Sequence, residues 1–330
     1  MKVIKFFAIT AMAAAMITSC SNEDELSQSN YPSDNIIRVT AGVNNAKTRA
    51  EGAGTEMKND FSLTIVNKNA PKYTYTDKVF SKSSGDWACS ETLLWQKSDA
   101  LVDIVAFAPA QTGKFNGVYA NGSIQPIAYS VASDQSTDQS TSSANNDLLY
   151  YYAKDFNPGE SLDKGKLNIQ FNHAFCMIDI NVTLGTEFNK PEVLKESPIV
   201  KVTLGGTKIA ANVNVTNAAS VVTISETDAA TDITTTKGSF DKAADPEANA
   251  KSHFSCIAIP QTVGANTFKV SLKTAGKLYE WTSDKEITLQ SGYRYTLNLT
   301  MGDNVVLLKG GSITATPWTE ITSDKPLETD

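Results

Sequence analysis

A chain of 330 residues with 41% hydrophobic and 20% charged residues can build a packed core of one large or two ordinary domains, which excludes global disorder. Its formal net charge is −7 at pH 7, and it falls two further, to −9, once Lys2 and Lys5 leave with the N-terminal leader described below. An acidic surface without a basic, aromatic-studded stripe repels phosphate backbones, so nucleic acid is excluded as a partner.

The chain opens with "MKVIKFFAITAMAAAMITSC", in which Lys2 and Lys5 precede an apolar run from Phe6 to Ile17. A basic head before about a dozen apolar residues reads as a secretory signal over 1–19, too short to span a bilayer comfortably. The closing "ITSC" resembles a bacterial lipobox, which implies a diacylglycerol on the thiol of Cys20 and cleavage just before it. Acyl chains anchor by burial, each methylene contributing about 0.8 kcal/mol. Residues 20–35 then form an acidic and polar linker that includes Glu23, Asp24 and Glu25.

From there the signal is strand-like and of period two. "NIIRVTAGV" is the first such run, followed by a small-residue, glycine-containing stretch that holds Arg49 within reach of a protease. "ALVDIVAFAPA" at 100–110 is almost continuously apolar, as expected of a strand covered on both faces, and Pro109 ends it. "CMIDINVTL" at 176–184 alternates, with Cys176 in phase with Ile178, Ile180, Val182 and Leu184. "TFKVSLKTAGKLYEWT" reads as a hairpin, and "RYTLNLTM" places Tyr295, Leu297, Leu299 and Met301 on one face. Two polar stretches, 130–146 and 225–253, have little to bury and read as long loops. After the leader no helical stripe stands out. The expected fold is all-β, with two β-sandwich domains over 36–165 and 166–330.

Beyond Cys20 the cysteines are Cys89, Cys176 and Cys256, an odd number that cannot form a complete disulfide framework. The two histidines each fall in a His-x-x-Cys pair, His173 with Cys176 and His253 with Cys256. Four such ligands suit zinc in principle, but both pairs lie in strand-like runs, where residues three apart point to opposite faces. They read as buried thiols and ordinary histidines, so no metal is expected. G-x-S-x-G, P-loop and H-E-x-x-H motifs are absent, and the glycine pair in "TLGGTKIAANV" lacks dinucleotide-binding spacing. The chain therefore reads as a non-enzyme without a cofactor, although two carboxylates of a glycosidase would leave no mark in sequence.

Several pieces in order resemble the fimbrillin-like proteins of the Bacteroidetes, the lipoprotein pilins of type V pili. They are the lipobox, "NIIRVTAGV" with "KTRA", "DLLYYYAKDF", "IQFNHAFCMIDINV", "IAIPQTV" at 257–263, "SGYRYTLNLTM" and the closing "ITATPW". The resemblance implies tandem transthyretin-like β-sandwich domains and a precursor held at the outer membrane by the lipid on Cys20. It further implies a cut after Arg49 by an arginine-specific protease, and assembly in which a strand of another pilin subunit replaces the excised first strand. Donor candidates near the C-terminus are Val306, Leu308, Ile313 and Trp318, and the alternative for Trp318 is a core residue of its own domain. The alternative is a permanently anchored surface lipoprotein that binds a glycan or a host protein.

Overall fold

Strands carry the fold, and their period-two pattern decides which side chains go inward. The computed structural model of the protein describes residues 30–44, 55–56, 59–137, 146–225, 227–302 and 309–318. The first part comprises β1 (Arg38–Val43), β2 (Thr55–Glu56), β3 (Phe61–Val66), β4 (Tyr75–Ser83), β5 (Asp86–Cys89) and β6 (Val102–Ala108). It continues with the short ribbon β7 (Tyr119–Ala120) and β8 (Ser123–Ile124), then β9 (Ile127–Ser130), β10 (Leu149–Phe156) and β11 (Lys166–His173). Neighbours run in the order β11-β10-β6-β3-β4-β5-β1, and β1 pairs again with β11, so this sheet closes into a ring. Closure removes free sheet edges.

Inside the ring lies one apolar core. Phe61 sits at its centre, 4.9 Å from Trp87, 5.4 Å from Phe80 and 5.5 Å from Phe171 between ring centroids. The continuous burial of β6 has a specific cause. Val102, Ile104, Ala106 and Ala108 face this first core, while Val105 and Phe107 face a second one. β10 behaves alike, sending Leu149, Tyr151 and Ala153 one way and Tyr150 and Tyr152 the other. One stretch of sheet thus forms the wall between two cores.

The second core is built by β12 (Cys176–Leu184), β13 (Ile199–Gly205), β14 (Ala210–Val213), β15 (Val222–Thr223), β16 (Ile233–Thr234), β17 (Thr236–Asp241) and β18 (Lys251–Ala258). β19 (Thr262–Val263), β20 (Lys269–Thr274), β21 (Leu278–Thr282), β22 (Ile287–Thr288), β23 (Tyr293–Met301) and β24 (Lys309–Pro317) complete it. The sheets are β17-β18-β12-β23-β24, β16-β13-β20-β21 and β15-β14-β9. β20 and β21 form the expected hairpin, with Leu272 opposite Tyr279. The sole α-helical segment among the described residues is the turn Pro158–Ser161, capped by the Asn157 side chain accepting from Gly159 N–H.

Two stretches behave in ways that periodicity alone does not reveal. β11, which lies beyond the division expected at 165/166, pairs within the ring, and β12 from Cys176 opens the other set of sheets. The excursion through β9 pairs with β14 and buries Phe115, Val118, Ile127, Tyr129 and Val131 in the second core. Gln135 fastens that excursion, donating to Ile257 C=O at 2.9 Å and accepting from Ile257 N–H at 2.8 Å. The stretch 225–253 is not one long loop either. It holds β16 and the edge strand β17, whose exposed face needs no apolar residues and so hides from a hydrophobicity pattern.

The glycine pair serves a turn. Gly206 has φ +86°, and a Cβ there would collide with the Thr267 carbonyl.

Phe61 gives a direct test of the first core. Phe61→Ala removes a side chain with 0% exposure and three aromatic neighbours. It is expected to cost about 3–5 kcal/mol, measured as a fall in the urea midpoint at unchanged slope.

Candidate functional site

β1 occupies a slot whose two sides are unequal. Along one edge it runs parallel to β11 for its whole length, from Arg38 opposite Lys166 to Val43 opposite Phe171. Along the other edge it meets β5 only at Val39–Trp87 and β2 at Gly42–Glu56 and Val43–Thr55. Ahead of it, Ile36 bridges Leu94, Ile37 N–H donates to Leu93 C=O at 2.9 Å, and Trp95 N–H donates to Asn35 C=O at 2.8 Å. Just past its end, Asn44 donates from its backbone to Phe171 C=O at 2.8 Å and from its side chain to Asn172 Oδ1 at 2.9 Å.

The dependence is mutual. β11 pairs with β10 at only two positions, Leu149–His173 and Tyr150–Asn172, so most of its ladder is made with β1. Ile37, Val39 and Val43 enter the first core beside Trp87, Leu167, Ile169 and Phe171. Asp34 clamps the entry, bonded to Arg38 through both carboxylate oxygens at 2.6 and 3.0 Å and to Ile36 N–H at 3.1 Å. The Arg38 guanidinium first, then that N–H, hold its carboxyl at about 2. This depressed value means the clamp is present above the ordinary carboxylate range and is lost as pH falls through about 2.

Cys20 and Arg49 lie outside the described residues, as do Val306 and Leu308. Ile313 is described in β24, opposite Leu297, and packs partly buried against the second core. Trp318 is 7% exposed, stacks on His173 at 3.8 Å between ring centroids and 12° between planes, and donates its backbone N–H to Gly292 C=O at 2.7 Å. In this arrangement Trp318 is part of the second core.

The His-x-x-Cys pairs are taken up by the fold. His173 Nδ1 lies 2.8 Å from Asp147 Oδ2, and His253 lies 2.8 Å from Asn181 Oδ1 and 2.9 Å from Asp241 Oδ2. Cys176 donates to Ala258 C=O at 3.2 Å, and both Cys176 and Cys256 are buried. Burial pushes both thiols well above the ordinary range. His253 and Cys256 fall on opposite sides of β18, as period two requires, whereas His173 ends β11 and Cys176 opens β12, so that pair does not share a strand. A cleft of about 920 Å³ on the second half is lined by Tyr150, Lys208, Gln261, Thr288 and Gln290 among others. Sequence reasoning missed it, because its walls come from separated turns. Its polar groups are largely satisfied internally: Gln261 exchanges hydrogen bonds with the Lys208 backbone, and Lys208 Nζ donates to Ser225 C=O.

Residues 48–318 match the sequence profile of the fimbrillin-like family. No curated protein matches the sequence. Among solved structures, the chain is similar to a candidate cell adhesion protein of Bacteroides ovatus, with TM-score 0.60 and 17% identity over 88% of this chain and 99% of the other. One of Bacteroides uniformis gives 0.52 and 14%, over 87% and 99%. A fimbrial protein of Bacteroides vulgatus gives 0.52 and 16%, over 86% and 98%. At such identities the likeness is one of fold.

The thiols offer a check on the packing. A thiol reagent at pH 8 should react first with half-buried Cys89, while Cys176 and Cys256 react only on unfolding. Mass mapping of the labelled peptides reads this out, and early labelling of Cys176 would contradict the packing described.

Proposed function

Because the chain belongs to the fimbrillin-like family, we propose that it is a structural subunit of a cell-surface fimbrium, exported as a lipid-anchored precursor and assembled by strand exchange. In this reading the lipid sits on Cys20, an arginine-specific protease cuts after Arg49, and the released piece carries β1 away. Other subunits of the fimbrium are the partners. The role is one of assembly and adhesion, not catalysis.

The observation that carries the reading is the slot of β1. It is the first strand among the described residues, it lies just ahead of Arg49 in sequence, and it fills the place between β11 and the β5–β2 side. The magnitudes support an exchange. Burial of Ile37, Val39 and Val43 contributes roughly 5–9 kcal/mol, against about 5–15 kcal/mol for the whole net stability of a domain. A chain that has lost β1 also leaves the N–H and C=O groups of β11 unpaired. Both deficits are met by one extended apolar segment from another copy, and a head-to-tail contact of this kind does not close, so it builds a filament. Val306, Leu308 and Ile313 remain the proposed donor residues near the C-terminus. Trp318 would serve only after leaving His173.

The alternative, a permanently anchored binder of a glycan or host protein, draws on the cleft around Tyr150 and Lys208. It requires that the N-terminus be kept.

An assembly assay separates the two. The full chain is treated with an arginine-specific protease and run unheated on a denaturing gel, with mass spectrometry locating the cut. Cleavage after Arg49 with a ladder of SDS-resistant species is expected, and Arg49→Ala should abolish both. An intact Arg49 in folded protein would transfer the assignment to the anchored binder.

A further inference from the structure

The ends of the first and last described strands meet at one place. Asn44, just past β1, holds Phe171 C=O and Asn172 Oδ1, and the next residue, His173, carries the stacked ring of Trp318, just past β24. Asn44, Asn172, His173 and Trp318 line a single cavity of about 250 Å³ with Tyr150 and Gly292. Asp147 fixes the far side of the imidazole at 2.8 Å, and Gly292 C=O fixes the Trp318 backbone at 2.7 Å.

We propose that the Asn172–His173 end of β11 is a latch that ties the two terminal strands together, so that loss of β1 loosens the hold on β24. The inference rests on the strand-exchange reading for its purpose, but its geometry stands apart from it. Removing Asn44 opens one wall of the cavity to water and takes the donors from Phe171 C=O and Asn172 Oδ1. Asn172 and His173 lie where β11 keeps its only two pairs with β10, so after loss of β1 those two pairs alone hold the strand end that carries the imidazole, next to a stretch of β11 left without its ladder. Two flat rings held together by exclusion of water separate more readily once wetted. β24 then frays from its C-terminal end, where Pro317 and Thr316 pair with Tyr293 and Arg294. The order of events follows: an uncut chain keeps its last strand at home, and a cut chain both needs a strand and can give one. His173 is a positioning residue in this scheme.

Amide hydrogen exchange at Thr314–Thr316 tests it in the full chain, with Ile178–Val182 of β12 as the internal reference. Exchange at β24 should rise on the order of tenfold, the size set by one buried aromatic pair, when the chain is cut after Arg49. Asn44→Ala and His173→Ala should raise it in the uncut chain, and His173→Phe, which keeps a flat ring on Trp318, should restore it. Unchanged β24 exchange in the cut chain or in uncut Asn44→Ala and His173→Ala would overturn the latch, even where a ladder forms and strand exchange stands. An equal rise in β12 would also overturn it, as plain destabilisation. Faster β24 exchange in a cut chain that forms no ladder would uphold the latch and refute strand exchange.

Discussion

The first half of the molecule depends on one ladder, the parallel pairing of β1 with β11. A strand interior to an apolar sheet must satisfy both rows of its backbone polar groups, and β11 does so on one side almost entirely through β1. The ring closes through this ladder, and Val39 and Val43 of the same strand, with Ala41 beside them, help seal the core around Phe61, Trp87 and Phe171. Remove the ladder and the strands, the core and the closure of the sheet are all compromised at once.

The second half repeats the arrangement with a different outcome. Its opening strand, β12, also runs parallel to a late strand, β23, from Met177–Arg294 to Leu184–Met301. Its other edge, however, is paired with β18 from Cys176–Ala258 to Thr183–Lys251, whereas the far edge of β1 is touched at scattered points. β12 is therefore fixed in the middle of a sheet, and β1 is paired throughout on one edge but only at intervals on the other. The same topology yields a strand paired along both edges in one place and along one edge, with scattered contacts on the other, in the second.

Much of this was legible from sequence because side-chain burial in a strand has a period of two. The alternation of Cys176, Ile178, Ile180, Val182 and Leu184, and of Tyr295, Leu297, Leu299 and Met301, carried over directly into buried faces. The unbroken apolar run at 100–110 announced a strand covered on both sides, but not that each side belongs to a different core. That fact depends on contacts between Phe107 and Phe115 and on the distant partners of β9, which leave no local trace. The same non-locality hid the true end of the first sheet, since β11 and β12 are separated only by Ala174 and Phe175 and both alternate. Edge strands such as β17 escaped notice because one free edge and a solvated face relax the demand for apolar residues. The slot of β1 was legible as a strand followed by an arginine; its one-sided hold was not.

The β9 excursion has a consequence for where the chain tolerates being severed. Residues of the first half thread into the second core and return, so a break between β6 and β10 would strip members from both cores together. A break between β1 and β3 subtracts β1 from the structure, and one between β23 and β24 subtracts the last described strand alone. Among the described residues, the strand at either end thus serves one core alone, while the body between them is interwoven. Such a body has a direction built into it: its first described strand belongs to one core and its last to the other.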